Sequence, residues 1–274
     1  MLPRPLVAHV LGRLGLPAAP AVTRAGLDAV YAAWCANVPW DNVQKRIAVV
    51  SGRRPLGGAE PVEFFHTFLR HGTGGTCWPS SGALHALLVS LGFDARRLIG
   101  TMDPTRWPDE VNHASTIVSV DGEELLVDSS MLLARPLPLR RDAPTALDDP
   151  LHPARAHPRD GLWTIRWRLQ GRDKEVDCVL LRDDVSAEEY AERYELSRGT
   201  GFSYFVSLVR NVPDGILSLN GSKRTFRHPD GRIEESYVDD RGRVLTLEAG
   251  LSAEIVAAIP PDEPDPRRPP PPRG

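Results

Sequence analysis

Gly74-Gly75-Thr76-Cys77-Trp78-Pro79 sets a cysteine at the mouth of a helix. Downstream, Leu84, Leu87, Leu88 and Leu91 recur at i, i+3, i+4 and i+7, the spacing that lines one face of an amphipathic helix, and Gly92 closes the run. The two glycines allow a sharp turn and a close approach of backbone to a ligand. Pro79 is tolerated because first-turn amides have no intrahelical partner. Those unpaired amides and the positive end of the helix dipole favour the thiolate, the reactive form of a cysteine. Cys77 is therefore either a nucleophile or, like most free cysteines, a small buried hydrophobe. The segment alone leaves both readings open.

Working outward, 274 residues with 41% hydrophobic and 25% charged positions can bury a sizeable core in one large domain or a few small ones. A net charge of -3 provides no field that would gather nucleic acid or an acidic membrane, which argues against both as partners. Cys35, Cys77 and Cys178 are too few and too scattered for a disulfide framework, and no CxxC or Cys/His cluster suggests a metal site. The N-terminus lacks a signal pattern and no apolar run approaches the roughly 18 residues of a membrane span, so the expected location is cytoplasmic.

Residues 1–92 read as helical. A helix is expected from Leu6 to about Leu16, a second capped by Thr23 and carrying Leu27, Val30, Tyr31 and Trp34 until Pro39 ends it, a third from Glu60 to about Arg70, and the Cys77 helix as the fourth. Beyond Gly92 the pattern changes to short β-rich runs: Ala114–Val120, Glu124–Val127, Leu162–Leu169, Val176–Leu181, Ile216–Leu219, Ile233–Val238 and Val244–Leu247. Ser186–Leu196 reads as a helix capped by Ser186, with Glu188 and Glu189 in its first turn, and Ser252–Ile259 as a final short one. The proline-bearing stretch Arg140–Arg159 reads as a long loop, and the chain from Pro260 to Gly274 as a disordered or polyproline-like tail. Segregated helices and strands make the fold class α+β.

A cysteine nucleophile needs a base within reach and a third group to orient the base. Of eight histidines, His85 lies roughly 12 Å up the same helix axis from Cys77 and is out of reach. His66 and His71 are close to Cys77 in sequence only, and His9, His152, His157 and His228 have no acid placed beside them by any definable geometry. His113 does. Asp121-Gly122 is the dipeptide that a two-residue type I′ hairpin turn prefers, and it fixes a register in which Val120 pairs with Glu123, Ser115 faces Asp128 and His113 faces Ser130. His113 and Asp128 then share one face as diagonal neighbours, about 7 to 8 Å apart between backbones, and a slip of one residue would separate them. The competing reading is an edge histidine and a strand-end aspartate that do nothing together.

In these phrases the sequence resembles the arylamine N-acetyltransferases. Leu14-Gly15-Leu16-Pro17, Val38-Pro39-Trp40-Asp41-Asn42, Gly74-Gly75-Thr76-Cys77, the run Leu91–Leu98, Asn112-His113, Leu126-Val127-Asp128 and the run Pro213–Gly221 follow that family's order, and the likeness spans about residues 6 to 259. The resemblance implies a papain-like cysteine transferase fold: a helical domain at 1–92 with the cysteine, a middle β-barrel at 93–197 with the histidine and aspartate, an α/β lid at 198–259, and the tail at 260–274. It further implies that Cys77 is acylated by acetyl-CoA or another acyl thioester, with no resident cofactor and no metal, that His113 is base and then proton donor, that Asp128 orients it, and that an amine takes the acyl group. Trp40, Trp78, Ser129 and Phe202 are the expected substrate contacts.

The chain departs from the family where Thr73 replaces an arginine, Pro79 a glutamate and Ser81 an asparagine around Cys77, and where Ser129-Ser130-Met131-Leu132 replaces Val-Gly-Phe-Gly after Asp128. Those departures are compatible with two related readings: an amide synthase that takes a polyketide or peptide chain from an acyl carrier protein, and a member that binds ligands without turnover.

Overall fold

The computed structural model describes residues 1–108, 110–169 and 174–266. Helices α1 (Arg4–Arg13), α2 (Arg24–Asn37), α3 (Val43–Val50), α4 (Pro61–His71) and α5 (Cys77–Ser90) occupy the N-terminal part. Thr23 caps α2 by accepting from the Gly26 amide at 3.2 Å, and α2 buries Leu27, Val30, Tyr31, Trp34 and Cys35. The helix expected to be amphipathic, α5, is buried nearly all round over its first turns, because α4, the helix Ala187–Leu196 and the strands Asp94–Met102 and His113–Val120 all pack on it. Its leucine stripe marks one of several buried faces. α3 was not expected, since Lys45 and Arg46 interrupt its apolar pattern; both are buried, with Lys45 Nζ donating to Ser197 and Thr200 oxygens.

Eight antiparallel strands follow: β2 (Asp94–Met102), β3 (His113–Val120), β4 (Glu123–Val127), β5 (Leu137–Leu139), β6 (Thr145–Leu147), β7 (Ala154–Arg159), β8 (Leu162–Arg168) and β9 (Glu175–Arg182), in the order β5-β4-β3-β2-β9-β8-β7-β6. The edge strands β5 and β6 lie against each other, with the Thr145 hydroxyl donating to the Pro138 carbonyl, so the sheet is a nearly closed barrel. Closure leaves little free edge for another chain to pair with. Ala154 and Ala156, then Trp163, Ile165 and Trp167, then Val176, Cys178 and Leu180 alternate into its core. β3 is buried along almost its whole length instead of alternating, because α5 covers the face opposite the barrel interior.

The hairpin register is the expected one: Val120 pairs with Glu123 and Thr116 with Val127, and Asp121 and Gly122 take positive φ of 51° and 78° in the turn. Several other expectations change. Arg140–Arg159 is not one loop but holds β6 and β7, whose prolines fall outside the ladder or at its end. β2 was missed because Arg96 and Arg97 break its apolar pattern; Arg96 is paired with Glu124 and Asp183. Val244–Leu247, read as a strand from its β-branched and apolar composition, is instead a wide helical turn, Val244–Glu248, that follows the one-turn helix α7 (Arg241–Arg243) and buries Val244 and Leu245. Tertiary packing overrides propensity there.

α6 (Ala187–Leu196) keeps its Ser186 cap. It leads to a second, five-stranded sheet: β1 (Trp40–Asp41), β10 (Ser207–Val212), β11 (Gly215–Asn220), β12 (Lys223–Arg227) and β13 (Ile233–Tyr237), in that order and all antiparallel. The short helix α8 (Ala253–Ala257), capped by Ser252, packs beside it. Among the described residues no helix is long and apolar enough to cross a membrane.

The tail departs from expectation at its start. Asp262 accepts from the Val206 amide at 3.0 Å and pairs with buried Arg46 at 2.8 Å and with Arg241 at 2.6 Å. The Pro261 carbonyl accepts from Arg46 at 2.6 Å and the Glu263 amide donates to the Tyr204 carbonyl at 2.7 Å. Residues 260–265 are thus a strap across α3 and the segment before β10; residues 267–274 of the expected tail lie outside the described residues. Asp262→Ala leaves the Arg46 charge with carbonyl acceptors only, and it is expected to cost about 2 kcal/mol. Urea denaturation would show the lower midpoint.

Candidate active site

Cys77 is the first residue of α5, and backbone geometry fixes the turn before it. Trp40 bridges Gly75 in parallel, the Asp41 amide donates to the Gly75 carbonyl at 3.3 Å, and the Asp41 carboxylate accepts from the Gly74 amide at 2.6 Å and the Val43 amide at 3.0 Å. A Cβ on Gly74 would stand 1.8 Å from the Pro39 carbonyl oxygen, so only glycine fits there. Burial pushes the Asp41 carboxyl up to about 6, against the two amides that favour its charge. Asn42 donates to the carbonyls of Phe202 and Phe205 at 2.7 Å each and accepts from the Ser207 amide at 2.8 Å. The phrase Trp40-Asp41-Asn42 therefore ties the cysteine turn to the second sheet.

β3 and β4 bring the other two residues. His113 Nε2 lies 2.7 Å from Asp128 Oδ2, and the imidazole also interacts with the Cys77 thiol. The thiol's other polar neighbour is the Asn112 carbonyl, at 3.9 Å. The Asn112 side chain grips Met102 from both sides, accepting from its amide at 2.7 Å and donating to its carbonyl at 3.1 Å, which fixes the entry to β3. The free oxygen of Asp128 accepts from the Ser130 and Met131 amides, both at 2.8 Å. Trp167 packs edge-on against the imidazole at 5.6 Å. Cys77 is half-buried while His113 and Asp128 are buried.

The electrostatics follow from this packing. Burial works to lower the His113 pKa, but the Asp128 charge and hydrogen bond, with Cys77 adding to them, raise it to about 10. Burial works to raise Asp128, and His113 with the two amides overcomes it and holds the carboxyl below its ordinary range. His85, by contrast, is lowered to about 4, chiefly by burial and then by Arg97, and only meets the Ala95 carbonyl at 3.1 Å.

Of the four expected substrate contacts, the structure leaves two at a surface. Trp40 and Phe202 meet edge to face at 5.0 Å, and Phe202 is 44% exposed. Trp78 is instead buried in a cluster with Tyr190 and Tyr194, its ring 5.1 Å from that of Tyr190. Ser129 is fully buried, with its hydroxyl 2.7 Å from that of Ser81, which also donates to the Ala114 carbonyl at 3.0 Å. Trp78 and Ser129 thus lie buried, away from the surface that Trp40 and Phe202 reach. Ser81 and Ser129, two of the departures from the family phrases, are each other's partners. Among the described residues no group of three or more His, Cys, Asp or Glu side chains is arranged to hold a metal ion.

A family model described as N-acetyltransferase matches residues 25–249. The chain belongs to this family, the arylamine N-acetyltransferases. Its fold is similar to that of the arylamine N-acetyltransferases of Mycobacterium abscessus (TM-score 0.78, 16% identity, 92% of this chain and 93% of that one) and Salmonella typhimurium (0.76, 20%, 93% and 97%). The Mycobacterium smegmatis arylamine N-acetyltransferase is as near, with a TM-score of 0.76 and 20% identity over 92% of this chain and 97% of that one. At these identities the likeness establishes the fold, in which the barrel occupies the middle of the chain and helices the N-terminus. No curated protein sequence matches the chain. Membership in an arylamine N-acetyltransferase family supports an enzyme that transfers acetyl groups to amines. The Tyr31 hydroxyl also meets the Asp128 backbone, a contact with no mark in the sequence, since on α2 its spacing signals only a buried face.

Proposed function

We propose that the chain is an acyltransferase in which Cys77 carries the acyl group between a thioester donor, acetyl-CoA or a related acyl-CoA, and a small-molecule amine. The observation that carries this reading is the His113–Asp128 hydrogen bond of 2.7 Å with Cys77 at the same imidazole. The Asp128 charge and hydrogen bond favour the imidazolium form of His113, the form that gives a proton to a departing thiolate. The Cys77 thiolate adds to the donor carbonyl, the C–S bond to the donor breaks, and His113 gives its proton to the departing thiolate. His113, now neutral, takes a proton from the amine as nitrogen attacks the Cys77 thioester. The amide leaves and the thiolate–imidazolium pair returns. The backbone amide of Cys77, at the first position of α5, is the proposed donor to the oxyanion that forms at each step.

Trp40 and Phe202 form the wall for the acceptor: Trp40 bridges the backbone two residues before Cys77, and its aromatic partner is open to solvent. The test is intact-mass analysis after exposure to acetyl-CoA. The expected result is a gain of one acetyl group that an arylamine or hydrazine discharges as the N-acetyl product. Absence of any adduct with acetyl-CoA or longer acyl-CoA thioesters, at neutral and mildly alkaline pH, would sink the reading.

A further inference from the structure

Tyr31 lies on α2, outside the chain segments that supply Cys77, His113 and Asp128. Its buried hydroxyl donates to the Asp128 carbonyl at 2.7 Å and accepts from the Asp128 amide at 3.1 Å and the Leu133 amide at 3.3 Å. One proton and both lone pairs are in use. These contacts join the two ends of the turn 128–133. Inside that turn Leu132 has a φ of 51°, and Ala134, just beyond, has 63°. Left-handed backbone is unfavourable for a residue with a Cβ, and it persists where surrounding contacts over-determine it. Here the surrounding contacts are Tyr31 at both ends and Asn211, whose Nδ2 donates to the Leu132 carbonyl at 2.9 Å.

The turn aims the Asp128 carboxylate. Its Oδ1 is held by the amides of Ser130 and Met131, which exist in that orientation only while the turn keeps its shape, and Oδ2 is left for His113. We propose that Tyr31 is a positioning residue for acyl transfer, its hydroxyl clamping the turn after β4 so that the Asp128 carboxylate meets the His113 ring. The proposal rests on the reading of Cys77, His113 and Asp128 as the reacting set. Burial holds the Tyr31 phenol well above its ordinary range, so the donor is present throughout the pH range in which the enzyme folds. Besides Tyr31, the His113 imidazole and backbone amides, the Asp128 charge is felt by the Cys35 and Cys178 thiols and the Tyr190 phenol, while the imidazole faces Asp128, Cys77 and Trp167.

Tyr31→Phe keeps the ring and removes the hydroxyl. In protein labelled at histidine, the His113 imidazole is followed by NMR against pH alongside steady-state acetyl transfer. The wild-type ring is expected to titrate near pH 10. In Tyr31→Phe the midpoint falls by about one unit or more, tenfold in proton affinity, and kcat falls about tenfold with KM for the acyl donor little changed. Asn211→Ala removes a contact at Leu132, beyond the Ser130 and Met131 amides, while Tyr31 still holds both ends of the turn; it lowers thermal stability and leaves the His113 midpoint in place. A wild-type ring that titrates near its ordinary value overturns the reading of the site and the Tyr31 proposal together. A high wild-type midpoint unchanged in Tyr31→Phe overturns the Tyr31 proposal alone. A midpoint that falls by a full unit in Asn211→Ala also overturns it, and that result requires no folded Tyr31→Phe protein.

Discussion

Cys77→Ala is expected to form no acyl adduct and to transfer acetyl groups at least about 10⁴-fold more slowly than the wild type, with its fold intact. The magnitude follows from the covalent route: without sulfur the donor and the amine must react directly in the cleft, leaving only binding and oxyanion stabilisation, and removal of a nucleophile from such a set costs nearly as much as removal of the whole set. The fold should survive because Cys77 is half-buried at the first position of α5 and its helix is held by neighbours other than the sulfur. Ser80 closes the first turn onto the Thr76 carbonyl at 3.1 Å, and Trp78 anchors the turn against Tyr190. Intact mass after acetyl-CoA exposure, product assay and thermal unfolding measured on one preparation separate the outcomes. An adduct that persists in Cys77→Ala would move the nucleophile elsewhere. Full turnover without an adduct would mean direct transfer.

The same residues show how much of the site the chain discloses before it is folded. The hairpin could be read because a two-residue turn converts sequence distance into register, so Asp121-Gly122 alone determined that His113 and Asp128 share a face. Cys77 could be read because glycines and a proline are constrained in backbone, and Gly74 turned out to be closed to any Cβ by the Pro39 carbonyl. Long-range polar contacts carry no such local mark. Tyr31 has the spacing of an ordinary core residue, and its partner is 97 positions away. Arg46, a charge that breaks the apolar period of α3, is buried against a strap from residues 261–262. β2, β6 and β7 escaped for a related reason. Their charges and prolines obscure the period of two, and it is the ladder formed with distant strands that makes them extended. Trp78 and Ser129 were assigned to substrate because of where they sit in the chain, but that closeness to Cys77 and Asp128 did not decide which way each side chain faces.

Asp128→Asn is expected to lower kcat/KM by about 10³- to 10⁴-fold while preserving the shape of the turn, since the amide oxygen still accepts from Ser130 and Met131. What it removes is charge. Burial is the largest influence on the His113 ring and acts to strip its proton; the Asp128 carboxylate is the chief opposing one. Without it the ring loses its proton at neutral pH, and the donor to the departing thiolate is gone. The stability difference between wild type and variant carries a sign that tests this account. The His113 pKa is raised from 6.5 to about 10, so its contribution is fully present below 6.5 and is lost as pH rises through about 10. The Asp128 pKa is depressed from 3.8, so its contribution is present above 3.8 and is lost as pH falls through the lower folded value. Both conditions hold between 3.8 and 6.5, where the variant is expected to fall furthest below the wild type in urea midpoint. Above about pH 10 the two midpoints should converge. A gap that instead widens as pH rises toward 10 would mean that Asp128 stabilises a neutral ring, and the route in which His113 begins as the proton donor would then be wrong.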